Sequence, residues 1–174
     1  MARRIRVPLG FIFAAVYLWL AHSSWTSLIA GIAVAALGLA LRAAAAGHVK
    51  KDAELTTTGP YAYTRNPLYL GSFLIAAGFA IASRSLWVAF IVILLLAAIY
   101  LPVIRSEEEY LRPRFSGFEE YAQRVPRLLP RLNAPRAPAG AFSSALYRKH
   151  REYNALLGTL AMTAALICKI IFRL

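Results

Sequence analysis

Five apolar stretches constrain this chain more than any other feature: Val7–Ala21, Trp25–Leu41, Pro67–Ser83, Leu86–Ile104 and Ala155–Phe172. Each approaches the roughly 20 mostly apolar residues that a helix needs to cross a bilayer. Within hydrocarbon a lone segment must satisfy its own backbone polar groups, so each stretch is read as a helix. Val7–Ala21, with Arg3, Arg4 and Arg6 before it, also has the outline of a signal peptide. His22–Trp25 is too brief a gap before the next apolar stretch, so the first two stretches are expected to form a helical hairpin. The expected fold is all-α: a polytopic membrane bundle of about five transmembrane helices in one domain, 1–174.

Composition agrees. Of the residues 59% are apolar and 16% charged, against about half and a quarter in soluble domains. Twenty Lys and Arg stand against eight Asp and Glu. Small basic proteins that bind nucleic acid are polar, so nucleic acid is not an expected partner. The single cysteine, Cys168, excludes an internal disulfide and a cysteine-based zinc site. His22, His48 and His150 have no ligand spacing, and no metal site is expected.

The charges are sided. Three basic residues precede the first stretch, four (Arg42, Lys50, Lys51, Arg65) lie between the second and third, and ten lie in Arg105–Asn154. Seventeen of the twenty therefore fall on one side of an alternating five-span arrangement. The positive-inside rule makes that side, and the N-terminus, cytoplasmic. All eight carboxylates share it, and none is mid-span, which argues against a proton pump, ion channel or voltage sensor. Lys169 and Arg173, at the opposite end, are expected to snorkel to the interface.

Local signals refine the outline. Ala43–Ala46 should extend the second helix to a break at Gly47, and Thr56–Pro60 is a turn cluster. Asn66 is expected to N-cap a helix opening at Pro67. Ser83-Arg84-Ser85 reads as a tight connection, and Pro102 should bend the fourth span. That helix should end before Pro113. Phe118–Tyr121 reads as a short interfacial helix, and the Arg-rich tract Arg124–Pro138 as an extended linker against anionic headgroups.

Two clusters can carry chemistry. Gly59–Tyr69 puts Tyr61, Tyr63, Tyr69, Arg65 and a helix start at a membrane boundary, where an N-terminus favours anions and tyrosine faces favour cations. An aromatic belt with a snorkelling arginine suits the same residues. Arg105-Ser106-Glu107-Glu108-Glu109 puts three carboxylates about 100° apart on a helix, so at least one should face the bundle. Arg105 is spaced to pair with Glu108 and Glu109; a solvated, salt-bridged turn is the other reading. Together the clusters would frame a carboxylate-rich, aromatic site for a ligand with an ammonium, a sulfonium and a carboxylate.

Gly59-Pro60-Tyr61, Arg65-Asn66-Pro67-Leu68-Tyr69, Glu107-Glu108, Leu111, Phe115, Tyr121, Val125-Pro126-Arg127 and Pro130 follow one another in an order similar to the isoprenylcysteine carboxyl methyltransferase and phospholipid methyltransferase superfamily. The resemblance covers about 50–131 and leaves out a final helix at about 155–172. It implies an integral membrane enzyme that moves a methyl group from S-adenosylmethionine, leaving S-adenosylhomocysteine, to a lipidic or small hydrophobic acceptor. It implies a cytoplasmic-side pocket formed by Tyr61, Arg65, Asn66, Pro67, Leu68, Tyr69, Glu107 and Glu108, with Glu54, Leu55 and Thr56 at the adenosine. Glu107 is implied to bind the methionyl amino group, and Arg105 and Glu108 are the expected catalytic residues. Asn66 replaces the family histidine, as in bacterial-type members, so a bacterial inner membrane is the expected location. Where carboxyl methyltransferases hold the substrate carboxylate with an arginine, this chain has Val103. A sterol-type reductase using NADPH shares a related motif, and a non-catalytic membrane scaffold is the third reading. Membrane lipids and the acceptor are the expected partners.

Overall fold

The computed structural model describes residues 12–50, 54–131 and 140–173, and among them all regular structure is helical. The order is α1 (12–20), α2 (Trp25–His48), a 3-10 turn (Gly59–Ala62), α3 (Pro67–Ser83), α4 (Leu86–Leu95), a π-helical stretch (Leu96–Tyr100), α5 (Leu101–Leu111), α6 (Phe118–Arg124), α7 (Ser144–Lys149) and α8 (Tyr153–Phe172). Three helical runs are long and apolar enough to cross a membrane: Trp25–His48, Leu86–Leu111 and Tyr153–Phe172. Pro67–Ser83 is a shorter apolar helix. Of the stretch expected at Val7–Ala21, 12–20 is helical and 7–11 lies outside the described residues. Large apolar side chains cover the outer faces, with Leu86, Trp87, Ile93 and Leu160 more than half exposed. An apolar exterior on this scale suits lipid rather than water.

The ends of the helices follow from local chemistry. Ser24 and Ser27 form a reciprocal capping box that opens α2. Ser85 caps α4 by accepting from Val88 N–H, after Arg84 takes the left-handed conformation that closes α3. Pro102 lacks an N–H and its ring crowds the carbonyl one turn earlier. The chain answers with the π-helical stretch just before it and then continues, so the expected bend is a local widening inside one continuous helix, 86–111.

Close packing of α2 against α3 sets the geometry of the site. A Cβ on Gly31 would lie 2.3 Å from the carbonyl oxygen of Gly78, and one on Gly38 would lie 2.6 Å from that of Gly71. The reversed order makes the two helices antiparallel, and the absent side chains let their backbones touch. At one end Tyr17, Leu28, Ala82, Val88, Val92 and Leu166 form the hydrophobic core. There Lys169 donates to the carbonyl of Leu18, near the end of α1. The other end of α2 and α3 carries the polar cluster.

Candidate functional site

The polar end is built by three pieces of chain. The first is the stretch from Glu54 into α3, the second the end of α5, and the third the segment 125–131. This last piece is not a free linker. Pro126 accepts from Arg65 N–H at 2.9 Å, Tyr63 accepts from Arg131 N–H at 2.9 Å, and Leu128 accepts from the buried Thr64 hydroxyl at 2.9 Å. Over these residues the expected extended linker is stitched to the site by its backbone. Its remainder, 132–138, lies outside the described residues. The Tyr121 hydroxyl donates to the carbonyl of Tyr61 at 2.7 Å and fixes the 3-10 turn, where Gly59 holds a positive φ of 58°.

A cavity of about 510 Å³ is lined by the first two of these pieces together with residues of α2, α6 and the start of α8, and segment 125–131 braces its wall without lining it. Glu54, Leu55, Thr56, Tyr61, Arg65, Asn66, Pro67, Leu68, Tyr69, Glu107 and Glu108 all line it. Arg105 does not. It is exposed and makes no ion pair among the described residues, and the inward carboxylate one turn away is taken by Arg65 and Arg127. Of the three tandem carboxylates, Glu108 turns inward and is 5% exposed, Glu107 is half-buried, and Glu109 is exposed.

Glu108 is the hub. Its carboxylate pairs with Arg65 at 3.2 Å and with Arg127 at 2.8 Å. The Asn66 side-chain amide donates to it at 3.5 Å and to the Arg127 carbonyl at 2.9 Å. Asn66 is the N-cap of α3, as expected, and its carbonyl accepts from Leu70 N–H, but its side chain is turned to Glu108 and makes no cap bond. Pro67 at the first position suffices to start that helix. Glu107 differs: the Tyr69 hydroxyl donates to it at 2.8 Å, and it has no cationic partner among the described residues. Arg65 keeps a buried Nε–H with no acceptor. Burial pushes the Tyr61 phenol well above its usual range, and the Glu107 charge adds to the effect, so Tyr61 stays a neutral hydroxyl.

Sequence reasoning gave no role to three contributors. Arg127 stood only as the end of the Val125-Pro126-Arg127 piece and as one arginine of a basic tract. Arg42, on α2, grips Glu152 with two hydrogen bonds of 2.9 and 2.8 Å, although 110 residues separate them. Arg42 also donates to Ser72 Oγ at 2.5 Å and to the Leu68 carbonyl at 3.3 Å. Both Arg42 and Glu152 line the cavity. Among the described residues no group of three or more His, Cys, Asp or Glu is placed to hold a metal ion.

Comparison with known proteins fits this geometry. Residues 5–117 match the family described as phospholipid methyltransferase. The chain is 36% identical over 121 residues to the nickel-cobalt-cadmium resistance protein NccN of Alcaligenes xylosoxydans xylosoxydans, covering 64% of this chain and 57% of that protein. It is 34% identical over 137 residues to the cobalt-zinc-cadmium resistance protein CzcN of Cupriavidus metallidurans, covering 74% of this chain and 62% of that one. The chain thus spans about three fifths of the length of these relatives. No solved structure matches it.

Proposed function

This chain belongs to the phospholipid methyltransferase family, and from that premise we propose that it transfers a methyl group from S-adenosylmethionine to a lipidic or small hydrophobic acceptor. We place the reaction at the cytoplasmic face of a bacterial inner membrane, the side to which the basic loops assign the cavity. The observation that carries the proposal is Glu107, a carboxylate on the cavity wall with a tyrosine hydroxyl and, among the described residues, no cation paired with it.

The residues present suit the ligand. An ammonium group would neutralise Glu107, and the orphaned Arg65 Nε–H would meet a carboxylate. The Tyr61 and Tyr69 rings suit a sulfonium, and Glu54, Leu55 and Thr56 remain for a nucleoside. About 510 Å³ lies in the usual range for a small-molecule pocket. When bound, S-adenosylmethionine supplies a methyl already activated on a cationic sulfur. The chain's own task is to hold and align the reactants at near-attack distance and to keep water out. Glu108, its oxygens taken by Arg65, Arg127 and Asn66, acts as a positioning residue for Arg65. The neutral Tyr61 phenol is a donor, not a base that would deprotonate an amine or thiol acceptor.

A reductase reading fares worse, because the uncompensated Glu107 would repel the phosphates of NADPH. The relatives are named for metal resistance, so for this chain the acceptor is not fixed by its family's name. Calorimetry with S-adenosylhomocysteine in detergent tests the reading. The wild type should bind, NADPH should not, and Glu107→Gln should bind about ten- to a hundredfold more weakly, the loss of one charge-assisted hydrogen bond. Equal affinities for wild type and variant would sink it.

A further inference from the structure

We propose that the methyl acceptor is a hydrophobic molecule with an uncharged polar group, such as a hydroxyl or thiol, and that it occupies a second cavity divided from the first by the Arg42–Glu152 pair. This rests on the methyltransferase reading above: the methyl's bond to the cationic sulfur breaks as the acceptor's oxygen or sulfur bonds to it, S-adenosylhomocysteine leaves, and the acceptor's proton passes to the carboxylate of Glu152 beside Arg42. The second cavity, of about 450 Å³, lies among α1, α3, α4 and α8. Phe13, Ile75, Phe79, Leu96 and Met162 give it a hydrocarbon and aromatic wall. Among the described residues Arg42 is the one charged residue in its lining, and Arg42 also lines the polar cavity, so the two spaces meet at that side chain.

The charges there are already matched. Arg42 gives Nε–H and one Nη to Glu152, and its other Nη to Ser72 and Leu68. The side chains of Arg42 and Glu152 are 22% and 10% exposed, so neither partner is readily resolvated. A phosphate or carboxylate head would have to displace Glu152, leaving one buried carboxylate without its partner. A cationic head would compete for Glu152 in the same way. The hydroxyls of Thr159 and Tyr100, both in the lining, can meet an uncharged polar group without that cost. The pair therefore selects against charge.

The test uses two photoreactive diazirine probes of equal chain length, an alcohol and a carboxylate, with the full chain in phosphatidylcholine nanodiscs. Mass spectrometry reads labelled positions. In the wild type the alcohol should label the cavity residues Phe79 and Met162 about tenfold more than the carboxylate does. Both should label the exposed Trp87 and Leu94 alike. Glu152→Gln removes the carboxylate from Arg42 and should raise carboxylate labelling in the cavity about tenfold. Met162→Trp fills the cavity and should abolish alcohol labelling there, which keeps the proposal testable if the first variant does not fold. Equal cavity labelling by both probes, or labelling of lipid-facing residues alone, overturns the proposal. Calorimetry with S-adenosylhomocysteine on the same nanodiscs separates the two readings. Binding with failed labelling sinks only the acceptor, whereas no binding sinks the methyltransferase reading itself.

Discussion

Glu107 and Glu108 are chemical twins one residue apart, and the structure predicts opposite consequences for neutralising them. Glu108 is 5% exposed and faces Arg65, whose side chain is 13% exposed and already has an unmatched Nε–H. Glu108→Gln leaves that guanidinium buried with no counter-charge. Breaking a buried pair from one side costs about 3–5 kcal/mol, and the retained amide oxygen puts the expected loss near the lower end. Arg127, the other partner, is 48% exposed, so Arg127→Ala leaves Glu108 paired with Arg65 and should cost only about 1 kcal/mol. Glu107→Gln touches no ion pair among the described residues and should stay within about 0.5 kcal/mol of wild type. Titration with sodium dodecyl sulfate from a mild detergent, followed by tryptophan fluorescence, ranks the three variants. The expected order of loss is Glu108→Gln well ahead of Arg127→Ala, and that ahead of Glu107→Gln. A Glu108→Gln variant no less stable than Arg127→Ala would refute the reading of Glu108 as the buried charge hub.

Two further predictions concern the scaffold. Gly38→Ala would put a Cβ 2.6 Å from the Gly71 carbonyl, forcing α2 and α3 apart at a cost of about 1–3 kcal/mol; Gly158→Ala, with nothing within 4 Å, should be neutral or gain up to about 1 kcal/mol in the same titration. Burial raises the phenols of Tyr61 and Tyr121 above their unfolded value. The folded chain thus keeps protons that the unfolded chain releases above about pH 10. Their contribution is complete below that pH and is lost as pH rises past it. Thermal unfolding between pH 8 and 11 should show the fall, and Tyr61→Phe should make it shallower; an unchanged slope would exclude Tyr61 as a source.

What was legible in the sequence was what depends on neighbours along the chain. Long apolar runs gave the helices, Pro67 gave a helix start, Ser83–Ser85 gave the tight connection, and the turn expected over Thr56–Pro60 forms at its end, over Gly59–Ala62. Three carboxylates spread around a helix had to send one inward, and Glu108 goes. Spacing failed where partners come from elsewhere. Arg105 lies one helical turn from Glu108 and Glu109, yet the inward carboxylate meets arginines 43 and 19 residues away in sequence, and Arg105 stays in the open. Asn66 had the residue type of a helix cap, but a buried carboxylate and a carbonyl within reach claimed its amide. A bond between Arg42 and Glu152 leaves no local trace at all.

That long-range bond also bears on how the two ends of the chain cooperate. Eleven of the twelve expected site residues line the polar cavity, and all of them fall within residues 5–117 that match the family. The apolar cavity is walled partly by α8, which lies beyond those residues, and α8 is anchored there by Glu152 on Arg42 and by Lys169 on the Leu18 carbonyl at its other end. A helix held at both ends keeps its register against α1 and α3, so the side chains it presents to the cavity, Thr159 and Met162 among them, are fixed in depth. On the proposed reading, the matched part of the chain holds the methyl donor and the C-terminal helix shapes what can stand beside it. Substitutions along α8 can then change the acceptor while leaving the donor site intact, which is the separation of effects that the Met162→Trp variant isolates.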